Sequence, residues 1–303
     1  MKYKCMVPLV SVCTPTFNRR PFIPTMIKCF NNQTYPKERI EWIIVDDGTD
    51  KIEDLVCNIK QVKYYKSDTK MKLGEKRNFM NSKCNGDIIV YMDDDDYYPP
   101  ERISHAVDVL MRNPIAMCAG SSEMYIYFKT TQSMYQCGPY GPNHSTAATF
   151  AFRKELLQQT AFNNDSSIAE EQAFLRNYTV PFAQLDPMKS ILVFSHVHNS
   201  FNKNNLLETP NKYICKSERT VDEFIKEEDV KQFFMTDIDD ALASYEPGVP
   251  KYKQDVLSEI ERITDERIYS KLLRENALLK DKNTYLELKV SQLLQMVINL
   301  KKN

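Results

Sequence analysis

The chain has 303 residues, enough for a sizeable core and one or two domains, and its charge is nearly balanced, with 40 Lys plus Arg against 41 Asp plus Glu. That balance argues against a protein built to coat nucleic acid, and only seven glycines argue against a glycine-rich phosphate loop. The start, MKYKCMVPLV, lacks the apolar stretch of a signal peptide, and no run approaches the roughly 18 apolar residues of a membrane helix. No membrane span and a cytoplasmic location are the expectations.

In chain order, short apolar runs fall at residues 9–13, 42–45, 62–65, 88–92 and 115–119. The first, second and fourth are rich in β-branched residues, as strands buried on both faces should be. Between them lie stretches of helical period, one with Ile23, Met26, Ile27 and Phe30, another with Ile103, Val107 and Leu110. Such alternation predicts an α/β fold with a mostly parallel sheet and right-handed crossovers. Ligands bind such sheets at the carboxyl ends of the strands. Three segments follow apolar runs directly: TPTFNRR at 14–20, DDGTD at 46–50 and DDDDYYPP at 93–100. Further on, YIYFKTTQSMYQC predicts an antiparallel pair and GPYGPNHSTAA, 138–148, a loop. A helix is expected around 168–178 and a strand at 191–194. Residues 203–250, with Pro210, Pro247 and Pro250, read as helical pieces and linker. From about Asp255 the chain has neither Pro nor Gly and reads as one long helix. The eight cysteines, Cys5 among them, are scattered without metal-finger spacing and read as buried free thiols.

Asp93, Asp94, Asp95 and Asp96 stand side by side after the fourth run. Two like charges about 4 Å apart cost roughly 1 kcal/mol in water and several times that near a protein surface. Such a cluster at the end of a buried strand calls for a positive partner. Strand alternation would put Asp93 and Asp95 on one side. A D-x-D pair on one edge can share a divalent ion, and that ion can hold a diphosphate. The plainer alternative is a solvated acidic turn.

VSVCTPTFNRR, IEWIIVDDGTD, LGEKRN and NGDIIVYMDDDDYYPP, in that order and spacing, resemble a family 2 glycosyltransferase of the GT-A fold over about residues 7–205. AEEQAF at 169–174 adds a fifth motif. The resemblance implies an inverting enzyme that takes a nucleotide-sugar, a UDP-sugar by preference, to a hydroxyl acceptor. It implies that Pro15, Thr16, Asn18 and Arg19 grip the nucleotide, and that Asp46 and Asp47 reach the uracil and ribose. An Asp-Asp-Gly turn is an equal alternative for that pair. Lys72 and Arg77 match positions that contact the diphosphate, with Asn78 supporting the turn. Asp93 matches a ribose and metal contact, Asp95 the principal ligand of Mn2+ or Mg2+, and Asp96 a further acid. Glu171 takes the place of the general base, where the family usually has Asp; Glu170 stays a second candidate. The same two acids also suit a helix N-terminus. A late histidine on the metal is implied, with His198 chosen over His196, and His144 lies in a loop on the acceptor side.

In the tail, Leu272, Leu279, Leu286, Leu293 and Leu300 recur every seven residues, and Asn276, Asn283, Val290 and Val297 fill the a positions. This predicts a parallel two-stranded coiled coil over about 269–301 and a homodimer. Glu275 would face Lys280 of the second helix, and Lys282 would face Glu287. The expected division is a GT-A domain at 1–205, a helical linker at 206–254 and a coiled-coil helix at 255–303. Two other classes of reading remain open, a second kind of enzyme and a non-enzymatic scaffold. A sugar nucleotidyltransferase normally opens with a glycine-rich loop, and a phosphatase of the haloacid dehalogenase type carries its DxD on the first strand. A degenerate transferase serving as a coiled-coil scaffold is the non-enzymatic alternative.

Overall fold

The computed structural model of the chain describes residues 7–208 and 211–301, so Cys5 and Pro210 lie outside the described residues. Strands β1 (Val10–Thr16), β2 (Ile40–Asp46), β3 (Val62–Lys66) and β4 (Ile88–Tyr91) pair in parallel in the order β3-β2-β1-β4. Every residue of β2, IEWIIVD, is buried, as its near-continuous apolar run requires. Alternation then sorts the side chains: Val12, Trp42, Ile44 and Val90 enter one core, while Cys13, Ile43, Val45 and Ile89 enter another on the opposite face. Glu41 is the charged exception inside β2, whose last residue is the buried Asp46. Glu41 accepts from Ser11 Oγ at 2.5 Å, the Asn85 amide at 2.5 Å and Lys63 Nζ at 2.6 Å. Burial opposes its charge, but these partners hold its carboxyl at about 2.

Helices cover both faces. Residues Ile23, Met26 and Phe30 of α1 (Ile23–Asn31) are buried, and the Phe30 ring stacks on Trp42 at 4.0 Å. The short α2 (Glu53–Val56) and α4 (Arg102–Arg112) join that layer, the latter through Ile103, Val107 and Leu110. The other face receives Met80 of α3 (Leu73–Lys83). Both helical periods read in the sequence are therefore the buried faces of real helices.

β5 (Cys118–Gly120), β8 (Ala151–Arg153) and β9 (Phe182–Gln184) extend the sheet to seven strands in the order β3-β2-β1-β4-β8-β5-β9, with β8 antiparallel to both neighbours. The expected antiparallel pair is β6 (Met124–Phe128) with β7 (Ser133–Cys137). With β10 (Leu192–Phe194) and β11 (Ile214–Lys216) it makes a second, four-stranded sheet.

The helix expected over 168–178 is a correction: only the single turn α5 (Glu171–Phe174) forms. Arg176, Asn177 and Tyr178 follow with φ of 51°, 55° and 63°, and left-handed residues cannot continue a right-handed helix. The anchor is Phe174 and Leu175, both fully buried.

Short helices follow: α6 (Asn205–Glu208), α7 (Val221–Phe224), α8 (Glu228–Gln232) and α9 (Ile238–Ala243). Val221, Phe224, Val230 and Phe234 are buried with Tyr97, Leu192 and Phe194, and Ile238 and Leu242 with Phe22. One compact unit accordingly ends at Leu257, and a second begins at Ser258. The long helix is α10 (Gln254–Leu300), and its side chains beyond residue 257 are mostly exposed. No helix among the described residues is long and apolar enough to cross a membrane. Cys13, Cys29, Cys84, Cys118 and Cys137 are buried free thiols, while Cys57 and Cys215 are exposed.

Candidate active site

β1 has β2 on one side and β4 on the other, so the order of travel across the sheet reverses there. Crevices open at the carboxyl ends of strands at such a switch point. A cavity of about 310 Å³ lies at this place, with Pro15 and Thr16 of β1 on its wall together with Asp93, Asp94 and Asp95 from just past β4. The turn after β4 is tied down. The Met92 amide donates to the Cys13 carbonyl at 3.1 Å, Thr14 Oγ1 donates to the Met92 carbonyl at 2.7 Å, and the Asp93 amide donates to Tyr98 Oη at 2.8 Å.

Past that turn the aspartates meet different cations. Asp93 lies 3.7 Å from Arg77 Nη2. Arg19 reaches two of them, Asp94 at 3.7 Å and Asp95 at 3.1 Å, and His196 Nε2 stands 3.3 Å from Asp95. The groups titrate apart as a result. Burial opposes the charge of Asp95, but Arg19 and His196 hold it well below the usual carboxylate range. Burial, and then the charge of Asp95, push Asp94 up to about 7 and Asp96 well above its ordinary value.

The fit of a divalent cation can be judged from these oxygens. Asp93 Oδ1, Asp94 Oδ2 and Asp96 Oδ1 are buried without a hydrogen-bond partner among the described residues. Unsatisfied carboxyl oxygens at and beside the cavity wall suit a hard cation that takes oxygen ligands, whose charge would favour their ionised form. Among the described residues no three His, Cys, Asp or Glu side chains form a ready ligand set, so phosphate oxygens would have to complete the shell.

The histidines divide differently from expectation. His196 and His198 follow the end of β10, where strict alternation no longer applies. His196 packs on Phe22 at 4.8 Å and faces Asp95; burial lowers it to about 3, so its ring is neutral. His198, the chosen ligand, instead turns its ring to Tyr245 at 6.1 Å and offers its backbone carbonyl to Arg19 at 3.0 Å.

Arg77 and the two glutamates form the next layer. Arg77 Nε donates to Glu170 Oε1 at 2.6 Å in a buried pair, and its guanidinium lies 4.6 Å from the Tyr91 ring. Glu171 has no such partner among the described residues; burial, then Glu170, raise it to about 7. Gly74 lets α3 approach this loop: its amide donates to the Ser166 carbonyl at 2.9 Å, and a Cβ there would strike the Asn163 backbone.

Other expected residues organise loops. Asn18, at φ 52°, accepts from the Thr49 amide at 2.7 Å and the Asp50 amide at 2.9 Å, and donates to the Pro247 carbonyl at 2.9 Å. Asp46 accepts from the Gly48 and Ile52 amides at 2.9 and 3.0 Å and from Tyr64 Oη at 2.6 Å. Asp47 accepts from the Met71 amide at 2.6 Å and pairs with the buried Lys76. Lys72 is half-exposed and pairs with Asp165 at 3.3 Å, away from the cavity wall. His144 sits between Tyr140 and Tyr178, at 4.8 and 5.1 Å.

Sequence reasoning missed Lys70, Lys76, Lys203, Lys253 and Asp255, all of which line the cavity. Burial, and then Arg19, push Lys253 down to about 7. Lys76 was legible: it stands four residues before the buried Met80, on the inner face of α3. Lys203 and Lys253 lie in polar stretches with no such signal.

The family model for glycosyl transferase family 2 matches residues 11–174, more than half of the chain. An uncharacterized glycosyltransferase of Haemophilus influenzae is 30% identical over 120 residues, 38% of this chain and 47% of that protein. A GalNAc(5)-diNAcBac-PP-undecaprenol beta-1,3-glucosyltransferase of Campylobacter jejuni is 31% identical over 113 residues, covering 35% and 34%. The chain thus spans less than half the length of these curated relatives. Among solved structures, Staphylococcus aureus TarS in complex with UDP-GlcNAc aligns with a TM-score of 0.51 at 21% identity, covering 62% of this chain and 58% of that one. The mannosyltransferase PcManGT of Pyrobaculum calidifontis, in complex with GDP-Man and Mn2+, aligns with a TM-score of 0.50 at 17% identity, covering 62% and 57%. At these identities the likeness to the solved structures is one of fold.

Proposed function

The chain belongs to glycosyl transferase family 2, and on that premise we propose that it moves a sugar from a UDP-sugar to a hydroxyl acceptor with inversion at the anomeric carbon. The observation that carries this reading is the division among its partly buried acids. Asp95 is held ionised among cations, while Glu171, without a cation of its own, sits near 7. A carboxyl poised near the working pH suits a general base. The choice of uridine follows the Staphylococcus aureus protein whose fold this chain shares.

In the proposed reaction the acceptor oxygen attacks the anomeric carbon while the bond from that carbon to the diphosphate oxygen breaks. The electron pair leaves with the diphosphate, and the acceptor proton passes to Glu171. One displacement gives inversion. Pro15, Thr16 and Arg19 would hold the nucleotide on the cavity wall. Asn18, Asp46 and Asp47 would shape the loops that face it, and Lys72 would bear on it only through its pairing with Asp165. Glu170 holds Arg77, and Arg77 in turn faces Asp93. A divalent cation, Mn2+ or Mg2+, held by Asp93 and Asp95 would neutralise the diphosphate. The contact between His196 and Asp95 favours His196 over His198 as the imidazole beside that cation. His144, framed by Tyr140 and Tyr178, would belong to the acceptor side.

The second unit extends the reading to a homodimer. Leu272, Leu279, Leu286 and Leu293 are between 47% and 60% exposed along α10. A leucine stripe of heptad period over four turns of the repeat is the seam of a coiled coil, and Asn276 and Asn283 at a positions fix register in a parallel pair.

Incubating the full chain with a panel of nucleotide sugars and Mn2+ tests the activity. Slow release of UDP from at least one UDP-sugar is expected. Release of no nucleotide from any donor would leave the catalytically degenerate scaffold, and release of GDP alone would overturn the uridine assignment.

A further inference from the structure

Six cationic side chains line the cavity: Arg19, Lys70, Lys76, Arg77, Lys203 and Lys253. Four are matched by carboxylates: Arg19 by Asp95 at 3.1 Å, Lys70 by Asp255 at 2.5 Å, Arg77 by Glu170 at 2.6 Å, and Lys76 by Asp47. Lys203 and Lys253 have no carboxylate within 4.0 Å among the described residues, and neither makes a side-chain hydrogen bond there. Lys253 is only 6% exposed. A buried lysine with no carboxylate in contact is costly to keep charged, and an anion arriving beside it would supply the missing counter-charge.

The segment that carries Lys253 is fastened at both ends across the strand loops. On its approach, Tyr245 Oη donates to Asp50 at 2.7 Å and the Pro247 carbonyl accepts from Asn18 at 2.9 Å. Gly248 passes so close that a Cβ would stand 2.7 Å from both the Asn18 carbonyl and His198 Nδ1. On its exit, Asp255 pairs with Lys70 at 2.5 Å and accepts from Ser167 Oγ at 3.1 Å. The strap thus touches the loop after β1, the loop after β2, the entry to α3 and the loop before α5. All of it, like Lys203, lies beyond the residues 11–174 that match the family.

We propose that Lys253, with Lys203 as the second unmatched ammonium, holds the diphosphate of the nucleotide donor, so that residues 245–255 complete a donor site that the family-matched part leaves open. This rests on the reading of the cavity as a nucleotide-sugar site. The chemistry fits: charge builds on the diphosphate as the glycosidic bond breaks, and fixed ammonium groups stabilise it there without reorganising.

The test is calorimetry on the full chain with Mn2+, using UDP and uridine as the two probes. Lys253→Gln should bind UDP about 10- to 100-fold more weakly, the loss of one charge-assisted hydrogen bond, with uridine unchanged. Lys253→Arg should recover most of that loss. Lys203→Gln, at a half-buried position away from the strap, should show a loss of the same selectivity, and it decides the matter if Lys253→Gln does not fold. Unchanged UDP affinity, or equal weakening of UDP and uridine, overturns the proposal. Failure of the unaltered chain to bind UDP would instead sink the donor-site reading itself.

Discussion

Exchanging each of the two adjacent glutamates for glutamine should give opposite results. Glu170 and Arg77 are 2.6 Å apart, with side chains 5% and 3% exposed. Glu170→Gln leaves the guanidinium buried with, among the described residues, only Asp93, 3.7 Å away, as a counter-charge. Breaking a buried pair from one side costs about 3–5 kcal/mol. At 2–4 °C per kcal/mol for a domain of this size, Tm should fall by roughly 6–20 °C. Glu171→Gln removes no partner. Its carboxyl is raised from an ordinary 4.5 to about 7, so ionisation disfavours the folded state. That penalty is absent below the ordinary value and full above about 7, so Glu171→Gln should raise Tm at pH 8 and leave it unchanged at pH 4. Turnover should drop about 10²–10⁴-fold with UDP affinity intact. In the unaltered chain, turnover should fall as pH drops through about 7, where the base takes up its proton. Differential scanning calorimetry and donor turnover across pH 4–9 supply the readings. Full turnover in Glu171→Gln with the acid limb in place, together with a normally folded but inactive Glu170→Gln, would refute the reasoning and move the base by one residue.

Asp95→Ala should lose most activity and should make UDP affinity indifferent to Mn2+, whereas Asp94→Ala should lose little; equal UDP affinity of the unaltered chain with and without Mn2+ would end the metal assignment. By light scattering the full chain should be a dimer, and a chain ending at Leu257 a monomer that still binds UDP because it keeps Lys253 and Asp255. A full-length monomer, or a dimer that survives the truncation, would rule out the C-terminal helix as the joint.

Much of the scaffold was readable because burial on both faces leaves a local mark. The runs that became β1, β2 and β4 are apolar over most of their length, and the helical spacings at Ile23–Phe30 and Ile103–Leu110 had to match the faces they bury. The helix expected at 168–178 failed for a tertiary reason. Phe174 and Leu175 are drawn into the core, and the chain then turns through three left-handed residues that nothing in DSSIAEEQAFLRNY announces.

The site divides in the same way. The sequence by itself determined that four aspartates end the fourth strand, that an aspartate pair ends the second, and that a leucine heptad runs along the tail, because each is a contiguous or periodic pattern. Only the tertiary structure decided what those acids meet. Arg19 reaches Asp95 across the gap between two strand ends, Arg77 claims Glu170 across 93 positions, and His196 rather than His198 faces Asp95 because the chain bends past β10. Lys253 reaches the cavity from far along the chain through a strap fixed by Tyr245, Pro247 and Asp255. A lysine's role is set by whether its charge is buried and matched, and both are properties of the packed surroundings rather than of its neighbours in sequence.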